Sequence, residues 1–185
     1  HFSGTATNIA DYKLVSVTGT GVSTTNSTIT IAPNATSATI TVEVVGEPID
    51  EDNETLEINL VNPTATGTAT VIGSPVTSTI IDDDTAGITV TPTSGLTTTE
   101  AGGTATFTVA LNSQPTADVT LNLSSDNMAE GILDKPTVTF NAANWNQPQT
   151  VTVAGVDDLA ADGDIAYNII TAAATSTDTK YNGIN

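Results

Sequence analysis

Short runs that alternate apolar and polar residues recur along the chain and constrain its fold class. Residues 39–45 read T-I-T-V-E-V-V, and residues 104–111 read T-A-T-F-T-V-A-L. A period of two places successive side chains on opposite faces of a strand, whereas an amphipathic helix has a period of about 3.6. Turn residues such as Pro33 and Asn34 separate the runs. The pattern predicts an all-β fold built as an antiparallel sandwich.

The two halves of the chain repeat one plan. In each half a strand with a V-x-V ending, at residues 42–44 and 151–153, precedes a carboxylate-rich loop, and another alternating run follows that loop. The length of 185 residues suits two sandwich domains. We therefore predict two tandem antiparallel β-sandwiches, residues 1–85 and residues 86–185.

Three adjacent aspartates, Asp82, Asp83 and Asp84, join two strand-like runs at residues 79–81 and 88–90. Neighbouring carboxylates repel one another, so a bound cation would stabilise them. Calcium suits such a group because it accepts several oxygen ligands in irregular geometry. We predict that this triplet ends the first domain, forms the hinge to the second and is stiffened by calcium.

The composition is strongly acidic, with 21 aspartates and glutamates, three lysines and no arginine, and the formal net charge is −18. This charge excludes nucleic acid and anionic membrane surfaces as electrostatic partners and favours cations. The alternating runs, with 38% hydrophobic residues, predict a folded chain rather than a disordered one. The absence of cysteine excludes disulfides and thiolate metal sites. No apolar run approaches the roughly 20 residues that span a bilayer, so no direct membrane insertion is predicted.

The residues needed for common catalytic sites are scarce. The one histidine is His1, so the chain offers no Ser-His or Cys-His pair between its strands, and it has no phosphate-binding or dinucleotide motif. Its carboxylates are massed in turns, whereas a glycosidase needs an acid in an apolar cleft. We predict that the protein is not an enzyme. Trp145 has no aromatic neighbour for a sugar-binding strip, so we predict that it packs within its own loop.

Three separated motifs in the first half resemble a known family. Residues 44–60 read V-V-G-E-P-I-D-E-D-N-E-T-L-E-I-N-L, residues 79–88 read T-I-I-D-D-D-T-A-G-I, and G-T-A-T at 4–7 precedes D-Y at 11–12. Together they resemble the Calx-beta module of sodium/calcium exchangers, integrin β4-type receptors and large bacterial surface proteins. From Ala86 onward the chain is similar to a divergent Calx-beta-like repeat, through Glu100, N-W-N-Q-P-Q-T-V-T-V at 144–153 and D-D-L-A-A-D-G-D at 157–164.

The resemblance implies immunoglobulin-like sandwiches with a calcium site at one tip of each repeat. Many family members have two acidic residues where this chain has Gly46 and Glu47. The first site would take oxygen ligands from Asp11, Glu47, the backbone carbonyl of Ile49, Glu51, Glu54, Asp82, Asp83 and Asp84. The second site would take them from Glu100, Asp126, Asp157, Asp158, Asp162 and Asp164.

The resemblance also implies that both sandwiches are incomplete at the chain ends, the first without its first strands and the second without its last. The chain has no initiator methionine and no signal peptide, so we expect an interior piece of a longer protein. Two explanations stay open. The piece belongs to a tandem array, or neighbouring copies supply the missing strands by β-augmentation.

Acidic residues in turns are usually only solvated, and Asp118, Asp134 and Asp178 are predicted to be such surface charges. For the remaining carboxylates, two functions are considered. The first is a calcium-binding structural or adhesive module at an extracellular or bacterial cell surface, with neighbouring repeats, copies of itself, extracellular matrix or a host surface as partners. The alternative is a calcium-sensing domain pair whose inter-domain angle changes on binding. Affinity separates them, because an extracellular strut works with a millimolar site and a sensor needs a submicromolar one.

Overall fold

The computed structural model describes residues 2–7, 10–25, 28–61, 63–65, 70–159 and 163–185. Over these residues the chain forms strands, turns and loops and contains no helix, which confirms the predicted all-β class. The strand pairs that the structure describes are all antiparallel. No described helix is therefore long and apolar enough to cross a membrane.

The chain divides into two compact units. Unit 1 comprises His1–Glu47 and Asp52–Asp82, and unit 2 comprises Pro48–Glu51 and Asp83–Asn185. The acidic loop of the first half, residues 46–54, is therefore divided between the units, because residues 48–51 belong to unit 2. The aspartate triplet is also divided, between Asp82 and Asp83.

Unit 1 contains three small sheets among its described residues. One has the strand order β1-β6-β7, and the other two are the pairs β2-β5 and β3-β4. The strands are β1 (Phe2–Gly4), β2 (Tyr12–Thr18), β3 (Val22–Thr25), β4 (Thr28–Ile31), β5 (Thr39–Val44), β6 (Glu54–Ile58) and β7 (Val76–Ile80).

The core of unit 1 is small. Its described buried apolar residues are Ala6, Tyr12 and Leu56, and the rings of Phe2 and Tyr12 pack with centroids 5.6 Å apart. Large apolar side chains on its strands stay exposed, including Val76, which is 60% exposed. Hydrophobic burial supplies most of the stabilising free energy of a fold, so we expect the described part of unit 1 to be less stable than that of unit 2.

Unit 2 contains one three-stranded and one four-stranded sheet, with strand orders β12-β10-β14 and β11-β13-β9-β8. The strands are β8 (Ile88–Thr91), β9 (Thr104–Leu111), β10 (Val119–Ser125), β11 (Gly131–Leu133), β12 (Thr137–Phe140), β13 (Gln149–Gly155) and β14 (Ile169–Thr171).

Alternation places one face of each long strand of unit 2 in a common core. Along β10, Val119, Leu121 and Leu123 are buried, and the residues between them are more exposed. Opposite them in β12, Phe140 pairs with Val119 and Val138 pairs with Leu121. Buried side chains from both sheets form one contiguous cluster, which is consistent with a β-sandwich. Its members are Phe107, Val109, Leu111, Val119, Leu121, Leu123, Val138, Phe140, Val151, Val153, Ala174 and Tyr181.

Two of the strand predictions from sequence differ from the structure. The short run A-T-V-I at residues 69–72 predicts a strand, but residues 70–72 form none, and residue 69 lies outside the described part of the chain. The alternating run at 165–170 is mostly loop, and its strand is confined to Ile169–Thr171. Apolar alternation creates a strand only where a partner strand can accept the backbone hydrogen bonds, and β10 pairs with this run only over Ile169–Thr171.

We expect Phe140→Ala to lower the free energy of unfolding of unit 2 by about 3–5 kcal/mol, because truncating a fully buried aromatic residue leaves a cavity. Urea unfolding followed by the fluorescence of Trp145 would measure the loss, since this single tryptophan packs against the same core. The matched control is Ile132→Ala in β11, where the side chain is 48% exposed and the expected loss is below about 1 kcal/mol. Equal losses in the two variants would contradict the core assignment.

Candidate metal centre

Asp11 lies in unit 1 at the end of a turn that leads into β2, and its side chain is buried, at 8% exposure. Its Oδ2 accepts hydrogen bonds from the backbone N–H of Thr7 and from the Thr7 hydroxyl, the latter at 2.7 Å. The Asp11 N–H donates to the Thr7 carbonyl at 3.1 Å, and the Asp11 carbonyl accepts from the Val45 N–H at 2.9 Å. These bonds close the turn and attach it to the residue after β5. Asp11 therefore has a structural role whether or not an ion binds.

Glu54 brings a second carboxyl group to Asp11. It is the first residue of β6, pairs with Ile80 of β7 and is half-buried. Carboxylate oxygens of Asp11 and Glu54 lie within 4.8 Å of each other, and the two side chains are in hydrogen-bond contact. Two carboxyl groups can share a hydrogen bond only while one of them holds a proton. When both are ionised they repel, and a cation between them would replace that proton.

The pKa of Asp11 is set by opposing effects. Burial of the carboxylate by itself raises the pKa, but the hydrogen bonds from the Thr7 N–H and hydroxyl and the contact with Glu54 lower it. Together the lowering effects outweigh the effect of burial, so the pKa of Asp11 lies below its ordinary value of 3.8. At neutral pH the Asp11 carboxylate is therefore ionised although the residue is only 8% exposed.

The acidic loop holds the other residues predicted for the first site. Glu47 is half-buried and is the last residue of the first segment of unit 1. Ile49 and Glu51 lie in the short segment that belongs to unit 2, and Glu51 precedes Glu54 by three residues. Within unit 1, the side-chain oxygen of Asn53 accepts a hydrogen bond from the backbone N–H of Asp82 at 3.0 Å. This bond ties the acidic loop to the first residue of the triplet.

The three aspartates of the triplet differ in exposure and in the unit to which they belong. Asp82 and Asp84 are half-buried and Asp83 is exposed. Asp82 ends unit 1, whereas Asp83 and Asp84 begin the long segment of unit 2. Their assignment as calcium ligands stays a prediction.

In unit 2, Asp126 has a structural partner. Its two carboxylate oxygens accept hydrogen bonds from the backbone N–H of Asn168 at 2.7 Å and from the Asn168 side-chain amide at 2.8 Å. The backbone N–H of Asn168 contributes most to holding the pKa of Asp126 below its ordinary value. These contacts pin the residue before β14 to the end of β10.

The remaining residues of the second predicted site are dispersed. Glu100 is exposed in the turn between Thr99 and Gly103, and Asp157, Asp158 and Asp164 are exposed in the loop after β13. Asp162 lies outside the described residues. Within the described part of unit 2, no three of these carboxylates gather as a candidate metal site.

Two aspartates that the sequence analysis did not select have well-defined roles. Asp178 is predicted as a surface charge, and this is wrong, because it is 6% exposed and accepts hydrogen bonds from the N–H groups of Thr116 at 2.8 Å and Lys180 at 2.9 Å. The bond to the residue two positions later is an Asx-turn, a local signal that the segment D-T-K-Y could have suggested. Asp50 accepts a backbone N–H and pairs with Lys180. No local signal identifies these partners of Asp50.

Trp145 is partly buried against the core of unit 2, and its carbonyl accepts a hydrogen bond from the Leu111 N–H at 3.1 Å. This packing agrees with the prediction of a structural loop aromatic.

Comparison with known proteins does not identify a family. No protein-family model matches the chain, and searches of the curated proteins and of the solved structures return no significant match. The resemblance to Calx-beta modules therefore stays a prediction from the sequence motifs.

Thr7→Val tests the electrostatics of the Asp11 turn. Losing the hydroxyl donor should raise the pKa of Asp11 and lower the free energy of unfolding by about 1–2 kcal/mol at neutral pH. Because the folded-state pKa is depressed, the stabilisation is fully present above the ordinary value of 3.8 and is lost as the pH falls through the lower folded-state pKa. The difference between wild type and Thr7→Val should therefore shrink in acid.

Carboxyl-carbon NMR would report the pKa of Asp11 directly, and thermal unfolding at a series of pH values would report the stability. Thr20→Val, at an exposed threonine of unit 1, is the matched control and should leave the pKa of Asp11 unchanged. An unchanged pKa in Thr7→Val would contradict the proposed cause of the shift.

Proposed function

We propose that this protein is a calcium-binding structural module of an extracellular rod or fibre. The observation that carries the proposal is the pairing of the buried, ionised Asp11 carboxylate with the carboxyl group of Glu54 in unit 1. When both groups are ionised they repel each other, and a bound cation would offset that repulsion. The lysines are engaged with other groups: Lys13 pairs with Glu43, Lys180 pairs with Asp50, and Lys135 donates to the Thr150 carbonyl.

The chemistry of the donors supports calcium over other metals. The chain has no cysteine and a single histidine, so it offers no thiolate and at most one imidazole of the kinds of ligand that zinc and copper prefer. Oxygen ligands on irregular loops suit calcium, whereas magnesium requires near-ideal octahedral geometry. We propose Glu47, the Ile49 carbonyl, Glu51 and Asp82 as further calcium ligands. The first three lie in the acidic loop that ends at Glu54, and the Asp82 N–H is hydrogen-bonded to Asn53 of that loop.

The proposed role of the ion is mechanical. The chain passes from one unit to the other within the acidic loop and again inside the aspartate triplet. A divalent cation bound at these segments would neutralise their charge and reduce their freedom to move. The module would then be stiff where calcium is millimolar, as it is outside cells. The role includes no catalysis, and its partners would be neighbouring repeats, copies of itself, matrix or a host surface.

A second part of the proposal concerns the family of the chain. We propose that both units are Calx-beta-like sandwiches of immunoglobulin type. The described strands of unit 2 support this proposal, because a three-stranded sheet and a four-stranded sheet also make up the seven-stranded immunoglobulin sandwich.

Calcium-dependent thermal unfolding tests the function. The melting temperature of wild type should rise with calcium and saturate in the millimolar range, because the ion binds only the folded state. Glu54→Gln should require about tenfold more calcium for the same shift, since it removes one charged ligand and leaves the Asp11 turn intact. Glu43→Gln makes the same charge change at an exposed residue of unit 1 and should stay within about twofold of wild type.

Magnesium and sodium chloride at matched ionic strength are the ion controls. A shift that magnesium or sodium reproduces would show that the carboxylates are only a screened surface, and the proposal would fail. Saturation below micromolar calcium would favour the sensing function instead of the structural one.

A further inference from the structure

Asp50 is held by contacts on both carboxylate oxygens, all within unit 2. Its Oδ2 accepts a hydrogen bond from the backbone N–H of Ala86 at 2.6 Å, and its Oδ1 lies 3.0 Å from the Nζ of Lys180. Two residues earlier, the carbonyl of Pro48 accepts a hydrogen bond from the Gln114 N–H at 2.6 Å. The side chain of Asp50 is only 17% exposed. The four-residue segment 48–51 is therefore attached to unit 2 at two of its residues.

Lys180, the basic residue of this ion pair, lies in a turn that is held by hydrogen bonds. Lys180 lies between Asp178 and Tyr181, which are both buried. Asp178 accepts the Lys180 N–H, and the Tyr181 hydroxyl bonds to the backbone N–H and carbonyl of Ser113 at 3.0 and 2.7 Å. Because its neighbours on both sides are fixed, the Lys180 backbone has little freedom. The ordering entropy that usually weakens a surface ion pair is smaller here.

We propose that Asp50 and Lys180 form a clamp that holds segment 48–51 on unit 2 and thereby positions the oxygen atoms of the acidic loop. In this arrangement Asp50 acts as a positioning residue, because one of its oxygens accepts the Ala86 N–H and the other pairs with Lys180. The ordering of the segment follows from the contacts within unit 2 alone. The consequence for calcium rests on the function proposed above, since Ile49 and Glu51 flank Asp50.

The clamp and simple electrostatics predict opposite effects of removing the Lys180 charge. A lysine near acidic ligands repels calcium, so electrostatics alone predicts that Lys180→Met binds calcium more tightly. If Lys180 orders the loop, the loop becomes more mobile when the lysine is removed. Calcium binding must then order the loop, and this loss of conformational entropy weakens the binding. The direction of the change in calcium affinity therefore distinguishes a positioning role of Lys180 from a purely electrostatic one.

The experiment compares Lys180→Met with Lys135→Met in the full chain. Lys135 is exposed and donates to the Thr150 carbonyl, so its substitution removes the same charge without touching the clamp. In chelator, hydrogen exchange of the Ala86 and Gln114 amides should be about threefold faster in Lys180→Met and unchanged in Lys135→Met. In calcium titrations, Lys180→Met should bind about threefold more weakly than wild type, while Lys135→Met should bind equally or slightly more tightly. Trp145 fluorescence confirms that unit 2 is folded in both variants.

Unchanged exchange of both amides in Lys180→Met would overturn the clamp, whatever calcium does. Calcium binding that tightens equally in the two lysine variants would overturn the positioning role. If wild type binds no calcium, the proposed function fails by itself, and the exchange of the Ala86 and Gln114 amides still decides whether the clamp exists.

Discussion

Backbone N–H groups hold several of the described carboxylates of this chain. With three lysines and no arginine for 21 acidic residues, most carboxylates have no possible ion-pair partner. The structure uses the main chain instead, and hydrogen bonds to an ionised acceptor are stronger than neutral ones. The acceptor and donor pairs are Asp11 with Thr7, Asp50 with Ala86, Asp126 with Asn168, Asp134 with Thr152, and Asp178 with Thr116 and Lys180.

The carboxylates that accept these hydrogen bonds fall into two groups, according to whether they also contact a second carboxyl group. Carboxylates such as Asp126 and Asp178 are satisfied by donors and join one loop or strand end to another. Asp11 accepts such donors and also contacts a second carboxyl group, that of Glu54. A cation is more useful in the second situation, because there it would offset the repulsion between two neighbouring carboxylates. The proposed calcium site in unit 1 follows from this difference and not from acidity alone.

The two units also differ in how they are stabilised. Unit 2 buries a contiguous apolar cluster between two sheets, whereas the described core of unit 1 is limited to Ala6, Tyr12, Leu56 and their partly buried neighbours. A unit with little apolar burial depends more on turns and polar contacts, and the Asp11 turn is one of them. Calcium bound there would therefore contribute a larger share of stability to unit 1 than a similar ion would to unit 2.

The sequence by itself determined that the protein is all-β, because a period of two places alternate residues of 104–111 on one face whatever their partners are. Only the tertiary structure decided which carboxylates meet which donors. Asp50 and Lys180 are 130 positions apart, and segment 48–51 belongs to unit 2 through contacts that no local pattern encodes. Local periodicity is a property of neighbouring residues, whereas burial and hydrogen-bond partners depend on how distant segments pack.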